Sequence, residues 1–182
     1  MSRNEIAQRF IATEARVDST RMRSGDVRDE DWTRIQDACN RLTNAPIYVD
    51  DTAGINLMEI RSKARRLRQR HGIRLLVVDY IQLMTSGRKV ESRQQEVSEF
   101  SRQMKLLAKE LDIPVVALSQ LNRSPETRAD KRPMLADLRE SGSLEQDADI
   151  VILIHRDSMY EKDSGKQGEA ELIVAKHRNG PT

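Results

Sequence analysis

The chain has few of the residues that define several common classes of protein. Its 182 residues include one cysteine, one tryptophan, three tyrosines and two phenylalanines. The single cysteine, Cys39, excludes an internal disulfide, and its place in an apolar helical stripe favours a buried small hydrophobe. So few aromatics argue against a base-stacking platform for nucleic acid. No apolar run reaches the ~20 residues that cross a bilayer and no signal layout opens the chain, which predicts a cytoplasmic protein.

Charge of one sign is also not in excess. The net charge of +2 comes from 31 basic and 29 acidic residues, so only local clusters can indicate a nucleic-acid partner. A hydrophobic content of 37% beside 33% charged residues is typical of one globular domain. His71, His155 and His177 lie far apart without ligand spacing, which argues against a zinc site.

The first half of the chain reads mainly as helices. Ser2 is placed to cap a run through Glu5, and a second helix opens near Asp31. Residues 22–27, which include Gly25, predict a turn between them, and residues 46–51 (PIYVDD) predict a short strand that ends in a polar loop. The apolar stripe of the second helix is Trp32, Ile35, Cys39 and Leu42.

From residue 56 onward, helical and strand patterns alternate. A helix is predicted from Asn56 to Arg70, ended by Gly72. Residues 73–81 are almost continuously apolar, as expected of a strand buried on both faces. A helix and the strand 113–120 follow, which predicts an α/β fold with a mostly parallel sheet flanked by helices. The apolar face of that helix is Val97, Phe100, Met104, Leu107 and Leu111.

The last third has a different pattern. A long polar stretch, residues 122–147, precedes a further buried strand, DIVILIHR (149–156). The segment ELIVAKHR (171–178) forms the last strand. A turn at 157–168 links the two, and this predicts an antiparallel pair at the end of the sheet.

Polar residues follow two of the predicted strands. Asp79 ends the first strand, and Ser119 and Gln120 end the next. At the carboxyl edge of a parallel sheet, a carboxylate can hold Mg²⁺ and an amide can sense a γ-phosphate. Both also occur as ordinary strand-terminating residues, so the pattern leaves the two interpretations open.

Two cationic groups of residues permit a phosphate-binding role. Lys176 and Arg178 stand at i and i+2 on the last strand, so they share a face and are able to reach a neighbouring subunit's nucleotide; solvated edge charges are the alternative. The segment 122–142 suits a loop that contacts phosphates, or else a solvated loop of mixed charge. Its cations are Arg123, Arg128, Lys131, Arg132 and Arg139.

Read together, several segments resemble the C-terminal ATPase domain of DnaB-type replicative helicases, in order and over essentially the whole chain. Generic to RecA-like ATPases are LLVVDYIQLM, ESRQQEVSEFSRQMKLLAKEL and IPVVALSQLNR. Specific to this family are DLRESGSLEQDADIV and AKHRNGPT. The resemblance implies a RecA-like fold and a ring hexamer that uses ATP and Mg²⁺ to unwind DNA, and that engages a primase and a helicase loader.

The resemblance also implies roles for individual residues. Asp79 corresponds to the Walker B aspartate, and Gln120 to the γ-phosphate sensor. Lys176 and Arg178 correspond to cations that act on the ATP of the adjacent subunit. The loop that faces single-stranded DNA corresponds to Arg139, Glu140 and Gly142.

One motif of the family is absent from the 182 residues. The phosphate-binding signature G-x-x-x-x-G-K-[ST] does not occur, and the only Gly-Lys step, Gly165–Lys166, continues with glutamine. We therefore expect residues 1–182 to be a partial ATPase domain without its upstream Walker A segment and terminal strand. We also expect negligible hydrolysis and exposed apolar sheet edges for the chain alone.

Three functions remain distinguishable by their chemistry. An ATP-driven helicase motor requires Asp79, Gln120 and Arg178 together at the sheet edge. A catalytically inactive ring or DNA-binding module is favoured by the missing phosphate loop. A repair recombinase would have similar polar residues at the sheet edge but would lack the segment DLRESGSLEQDADIV.

Overall fold

The N-terminal helices begin where their capping residues predict. A computed structural model describes residues 1–85, 92–138, 142–160 and 167–181. In it, α1 (Arg3–Ala15) starts after Ser2, whose hydroxyl accepts from the Glu5 amide at 3.3 Å while the Glu5 carboxylate accepts from the Ser2 amide at 2.7 Å. This reciprocal pair satisfies two amides that the helix leaves free.

Two further helices complete the unit Met1–Ala53. They are α2 (Ser19–Ser24), which ends at Gly25 with φ 78°, and α3 (Asp29–Thr43). The predicted apolar stripe of α3 is only partly buried, because Trp32 is 56% exposed and Cys39 is half-buried. The contact with α1 falls instead on the fully buried Ala38, whose small side chain fits that interface. The core of the unit is Ala15, Val17 and Ala38, with Ile11, Met22 and Ile35 against it.

The strand predicted at residues 46–51 is wrong. These residues have no regular secondary structure. A strand exists only through hydrogen bonds to a neighbouring strand, and none of the described strands pairs with this segment.

The second unit, Gly54–Thr182, opens with the predicted strand–helix alternation. The helix α4 (Leu57–His71) is capped by Asn56 and ends at Gly72 with φ 62°, so its predicted bounds are confirmed to within one residue. β1 (Leu76–Val78) and β2 (Val115–Ala117) pair in parallel, with Leu76 opposite Val115. Between them α5 (Arg93–Leu111) buries all five of its predicted apolar positions. Its core partners include Ile60, Ala64, Val78, Ile81, Met84 and Ile113.

The remaining elements form an antiparallel pair, as predicted. After α6 (Ser124–Thr127) and α7 (Gly142–Asp147), β3 (Ile150–His155) pairs with β4 (Glu171–His177). The described strands therefore form two separate two-stranded sheets. This arrangement confirms the α/β class, while only β1 and β2 are parallel.

The prediction that the strands are buried on both faces is wrong for this chain. β3 alternates strictly, with Val151 and Leu153 buried and Ile152 53% exposed. Val77 of β1 is 54% exposed in the same way. The reason is that the described helices cover one face of the parallel pair and leave the other open. No helix in the described part of the chain is long and apolar enough to cross a membrane.

Candidate functional site

The polar residues predicted after β1 and β2 lie at one edge of the parallel pair. Val78 is opposite Ala117, so the two strands end level with each other. The Leu118 amide donates to the Val78 carbonyl at 2.9 Å and the Ile81 amide donates to the Leu118 carbonyl at 3.0 Å, which continues the pairing past both strands. Asp79 and Gln120 are therefore brought to the same edge, and both are exposed.

A glutamine that sequence reasoning missed joins the two strand ends. The Gln82 side-chain amide donates to the Ser119 hydroxyl at 2.9 Å and to the Gln120 carbonyl at 3.4 Å. Its oxygen accepts from the Gln120 amide at 3.2 Å. Because an amide both donates and accepts, one side chain satisfies three groups of the β2 end. A polar residue inside the otherwise apolar run YIQLM was the available signal.

The turn that carries Gln82 is held by the start of α5. Residues Ile81–Leu83 form a 3₁₀ turn, and the Arg93 guanidinium donates to the Gln82 carbonyl at 2.6 Å and to the Met84 carbonyl at 3.3 Å. Arg93 also pairs with Glu96. The β1 end is thereby connected to the core helix.

Asp79 is the exposed carboxylate at this edge of the parallel pair. No group of three or more His, Cys, Asp or Glu side chains suited to a metal occurs among the described residues. Mg²⁺ is commonly held by one or two carboxylates together with phosphate oxygens and water. Asp79, exposed and beside the polar end of β2, is suited to that partial coordination.

Lys176 and Arg178 share a face, as their spacing predicts, and both contact the end of α7. The Lys176 ammonium donates to the carbonyls of Glu145 and, at 3.3 Å, Gln146. Arg178 donates to the Gln146 carbonyl at 3.0 Å. Cations at the last carbonyls of a helix are favourable, because those carbonyls have no partner within the helix.

A second residue missed from sequence, Asp149, lies between these cations and α5. Its carboxylate pairs with Lys105 and, at 3.4 Å, with Arg178. Its carbonyl accepts from the Arg178 amide at 2.8 Å. The hydrogen bond from Lys105, helped by the charges of Arg178 and Lys176, holds the pKa of Asp149 below its usual value in spite of some burial.

The predicted DNA-facing residues are only partly within the structure. Arg139 and Glu140 lie outside the described residues, whereas Gly142 is exposed and begins α7. Upstream, the Arg128 guanidinium donates to both oxygens of the buried Asp137, at 3.0 and 2.5 Å, and the Met134 amide donates to it at 2.8 Å. Arg128 thus fixes the segment before the residues predicted to face DNA.

Two other cations of this segment also contact protein groups. Arg132 pairs with Glu171 at 2.7 Å, and the Lys131 ammonium lies 5.2 Å from the centre of the Tyr160 ring. Arg123 is exposed. Arg128, Lys131 and Arg132 therefore already have partners within the chain. This weakens the prediction that the whole segment contacts phosphates.

Two opposing effects of its surroundings set the pKa of Asp137. Burial of this residue, which is 2% exposed, opposes ionisation. The hydrogen bonds from Arg128 and the Met134 amide outweigh that effect, so the pKa lies below its ordinary value. Asp137 is therefore ionised at neutral pH although it is buried in the second unit.

A parallel strand–helix–strand core with polar residues at its carboxyl edge places the chain in the α/β class, and solved structures specify it as RecA-like. One solved structure, described as an ATPase domain, matches with a TM-score of 0.93 and 42% identity, over 100% of this chain and 65% of that one. A DnaB-like replicative helicase, described with its interactions with primase, matches with a TM-score of 0.94 and 42% identity, over 100% of this chain and 44% of that one.

The chain belongs to the family of DnaB-like helicase C-terminal domains, whose profile matches residues 1–182. It is 63% identical to the replicative DNA helicase DnaB of Leifsonia xyli subsp. xyli and 51% identical to that of Geobacillus stearothermophilus. In each case the match covers 100% of this chain and 40% of the relative. The chain therefore spans less than half the length of these relatives.

Proposed function

We propose that the chain is part of the motor domain of a replicative DNA helicase, which hydrolyses ATP to move along single-stranded DNA and separate the duplex at a replication fork. The observation that carries the proposal is a family match over every residue, at 63% identity to a replicative helicase. The Asp79–Gln120 edge supplies the chemistry. The proposed site of action is the cytoplasm, where bacterial chromosomes are copied.

At the sheet edge, Asp79 holds the Mg²⁺ of a bound ATP and Gln120 contacts the γ-phosphate. When bound, the ion neutralises the charge that develops on the transferred phosphoryl group. Gln82 fixes the backbone of Gln120 through the hydrogen bonds described above. The side chain of Gln120 remains exposed and is able to respond when the γ-phosphate leaves.

The trans-acting cations are Lys176 and Arg178. In a homohexameric ring they reach the nucleotide of the adjacent subunit and stabilise negative charge on its γ-phosphate. Arg178 is suited to this role because its side chain is 49% exposed, although it already contacts Asp149.

Single-stranded DNA is contacted by Arg139, Glu140 and Gly142. Contacts of backbone and cations to phosphates follow a strand without reading its bases, which agrees with the 3% aromatic content. Primase and a helicase loader are proposed partners of the longer subunit; one structural neighbour is described with primase interactions.

The domain organisation follows from the same proposal. Residues 1–182 are one part of the ATPase domain, and the phosphate-binding loop belongs to a segment of the subunit upstream of them. The covered share supports this organisation, since the chain spans only 65% of the solved ATPase domain that it matches. Such a loop supplies the backbone amides and the lysine that hold the β- and γ-phosphates.

A chimeric subunit tests the function. This chain replaces the matching 182 residues of the Leifsonia relative, with which it is 63% identical, and ATP hydrolysis and fork unwinding are measured. We expect an active chimera that loses hydrolysis with Asp79→Asn or Arg178→Ala. Arg74→Ala, at an exposed arginine for which the described residues show no ion pair, is the matched control.

Subunit mixing separates the roles of the two residues. Because Arg178 acts across the interface and Asp79 within a subunit, mixed rings of the two variants should recover sites that neither pure ring has. A chimera that binds DNA in rings but hydrolyses no ATP contradicts the proposal and favours the inactive binding module. Strand-exchange activity would favour a recombinase.

A further inference from the structure

The helix α7 connects two predicted functional regions within six residues. It begins at Gly142, one of the residues proposed to face DNA, and ends at Asp147. Its last carbonyls, of Glu145 and Gln146, accept hydrogen bonds from Lys176 and Arg178. The cations proposed to act on ATP therefore rest on the opposite end of the helix that starts at the DNA-facing residues.

The helix α5 contacts both α7 and Asp149. The hydroxyls of Ser98 on α5 and Ser143 on α7 are 2.8 Å apart, and the Ser101 hydroxyl donates to the Ser143 carbonyl at 3.4 Å. One turn further along α5, Lys105 pairs with the Oδ2 atom of Asp149. The same helix thus holds both α7 and the carboxylate beside Arg178.

The two oxygens of Asp149 have different partners. Lys105 contacts Oδ2, and the Arg178 guanidinium lies 3.4 Å from Oδ1. With Oδ2 held by Lys105, the other oxygen remains directed to Arg178. The Gln146 carbonyl, 3.0 Å from a second guanidinium nitrogen, then defines the orientation of the Arg178 head group. A planar guanidinium held at two of its nitrogens has few remaining orientations.

We propose that Lys105 and Asp149 are positioning residues that hold Arg178 ready on the end of α7, so that its placement against the neighbouring ATP depends on α7 and on DNA contact at Gly142. The inference rests on the proposed function. It adds two residues that touch neither nucleotide nor DNA and act through Arg178.

The contact between Asp149 and Arg178 is exposed, so it can break and form again. The Asp149 side chain is 55% exposed and that of Arg178 is 49% exposed, so solvent screens their attraction. A buried pair would hold the arginine too firmly for it to reach another subunit. A weak, geometrically defined contact orients the side chain and still releases it.

The kinetic consequence is specific. An arginine that contacts the γ-phosphate mainly in the transition state, when negative charge develops there, affects kcat more than the binding of ATP. Misplacing a catalytic group by ~1 Å can cost about 100-fold in rate. We therefore expect Asp149→Asn and Lys105→Met to lower kcat by roughly 10-fold to 100-fold while KM for ATP stays within about twofold. DNA stimulation of hydrolysis should fall as well.

The experiment uses the same chimeric subunit, with ring assembly and thermal stability measured beside the kinetics. Lys109→Met is the matched control, because Lys109 lies on the same helix, is exposed and has no ion pair among the described residues. We expect Lys109→Met to leave kcat, KM and assembly unchanged.

A charge exchange separates positioning from simple stabilisation. In the double variant Lys105→Glu with Asp149→Lys, the pair between the two positions is restored, but a lysine now faces Arg178 and repels it. We expect thermal stability to recover and kcat to remain low. Recovery of kcat together with stability would overturn the proposal, because it would show that only the pair itself matters.

Other outcomes are equally decisive. Unchanged kcat in Asp149→Asn, with activity lost in Arg178→Ala, overturns the inference and leaves the proposed function intact. Equal changes in KM and stability without a specific loss of kcat also overturn it. If the unsubstituted chimera hydrolyses no ATP, the proposed function fails and the inference fails with it.

Discussion

At the scale of single residues, the informative side chains are polar groups that connect segments far apart in the chain. Gln82 joins the ends of β1 and β2, Asp149 joins α5 to the residue after β4, and Asp137 holds the segment before the residues proposed to face DNA. All three lie within segments shared with the helicase family, but the resemblance assigns none of them a catalytic or ligand-binding role. Gln82 and Asp149 contact residues for which such a role is proposed, Gln120 and Arg178, and Asp137 holds Arg128.

Asp137 gives the sharpest prediction at this scale. Removing one partner of a buried ion pair leaves the other uncompensated, which typically costs about 3 to 5 kcal/mol. Because Arg128 keeps part of its side chain in solvent, we expect Asp137→Ala to lower the free energy of unfolding at pH 7 by about 3 kcal/mol. Urea unfolding followed by circular dichroism at low protein concentration measures the change.

The same residue predicts a pH dependence. The folded-state pKa of Asp137 lies below the ordinary value of 3.8, so its contribution to stability is present above that pH and is lost as pH falls through the folded pKa. The difference between wild type and Asp137→Ala should therefore shrink below about pH 4. Glu126→Ala, at an exposed carboxylate of the same segment, is the control. A difference that is as large at pH 3 as at pH 7 would contradict this account.

At the scale of elements, each described sheet has an apolar face open to solvent. β3 exposes Ile150, Ile152 and Ile154, while β4 exposes Leu172 and Val174. Such contiguous apolar surface usually marks an interface or causes aggregation. We therefore expect the chain alone to self-associate through these strands.

The alternation along β3 allows a matched test of that expectation. Ile152→Lys places a charge on the exposed face, where surface substitutions usually change stability by less than about 0.5 kcal/mol. We expect it to reduce self-association in sedimentation velocity without loss of folding. Leu153→Lys, at the neighbouring 3% exposed position, should unfold the unit because a lysine has no partner there. Unchanged association in Ile152→Lys would exclude this face as the contact surface.

At the scale of the whole chain, the 182 residues contain only part of the groups that the proposed ATP hydrolysis at the β1–β2 edge requires. Asp79 and Gln120 are present, but the sequence contains no phosphate-binding loop to hold the β- and γ-phosphates. We expect the chain alone to show negligible ATP hydrolysis in a phosphate-release assay, with or without single-stranded DNA. Hydrolysis by the purified chain that Asp79→Ala abolishes would contradict this prediction.

Much of the architecture was predictable because its determinants are local. The capping box of Ser2 and Glu5, the Asn56 cap and Gly72 terminator of α4, and the apolar stripe of α5 all act within one or two helical turns. The parallel pairing of β1 with β2 followed from the length of the helix between them. The antiparallel β3–β4 pair followed from the polar connection between the two apolar segments, which the prediction treated as a turn.

The failures have one physical cause. The segment 46–51 has strand character but no described partner strand, and β1 and β3 are apolar on both sides although only one side is covered. Pairing and burial depend on what other parts of the molecule bring to a segment. Sequence patterns report the character of a segment and not its neighbours.

The features of the candidate site also separate into those that are local in the sequence and those that depend on tertiary contacts. The family, the helical caps and the polar ends of β1 and β2 could be predicted from sequence, because these are properties of contiguous residues and their spacing. Three features required the folded structure: Gln82 joins those ends, Arg128 pairs with Asp137, and Lys176 and Arg178 contact the end of α7 beside Asp149. Apart from the Arg128–Asp137 pair, which closes a loop, these contacts join segments about 30 or more positions apart, which the packing of the core brings together and no local pattern records.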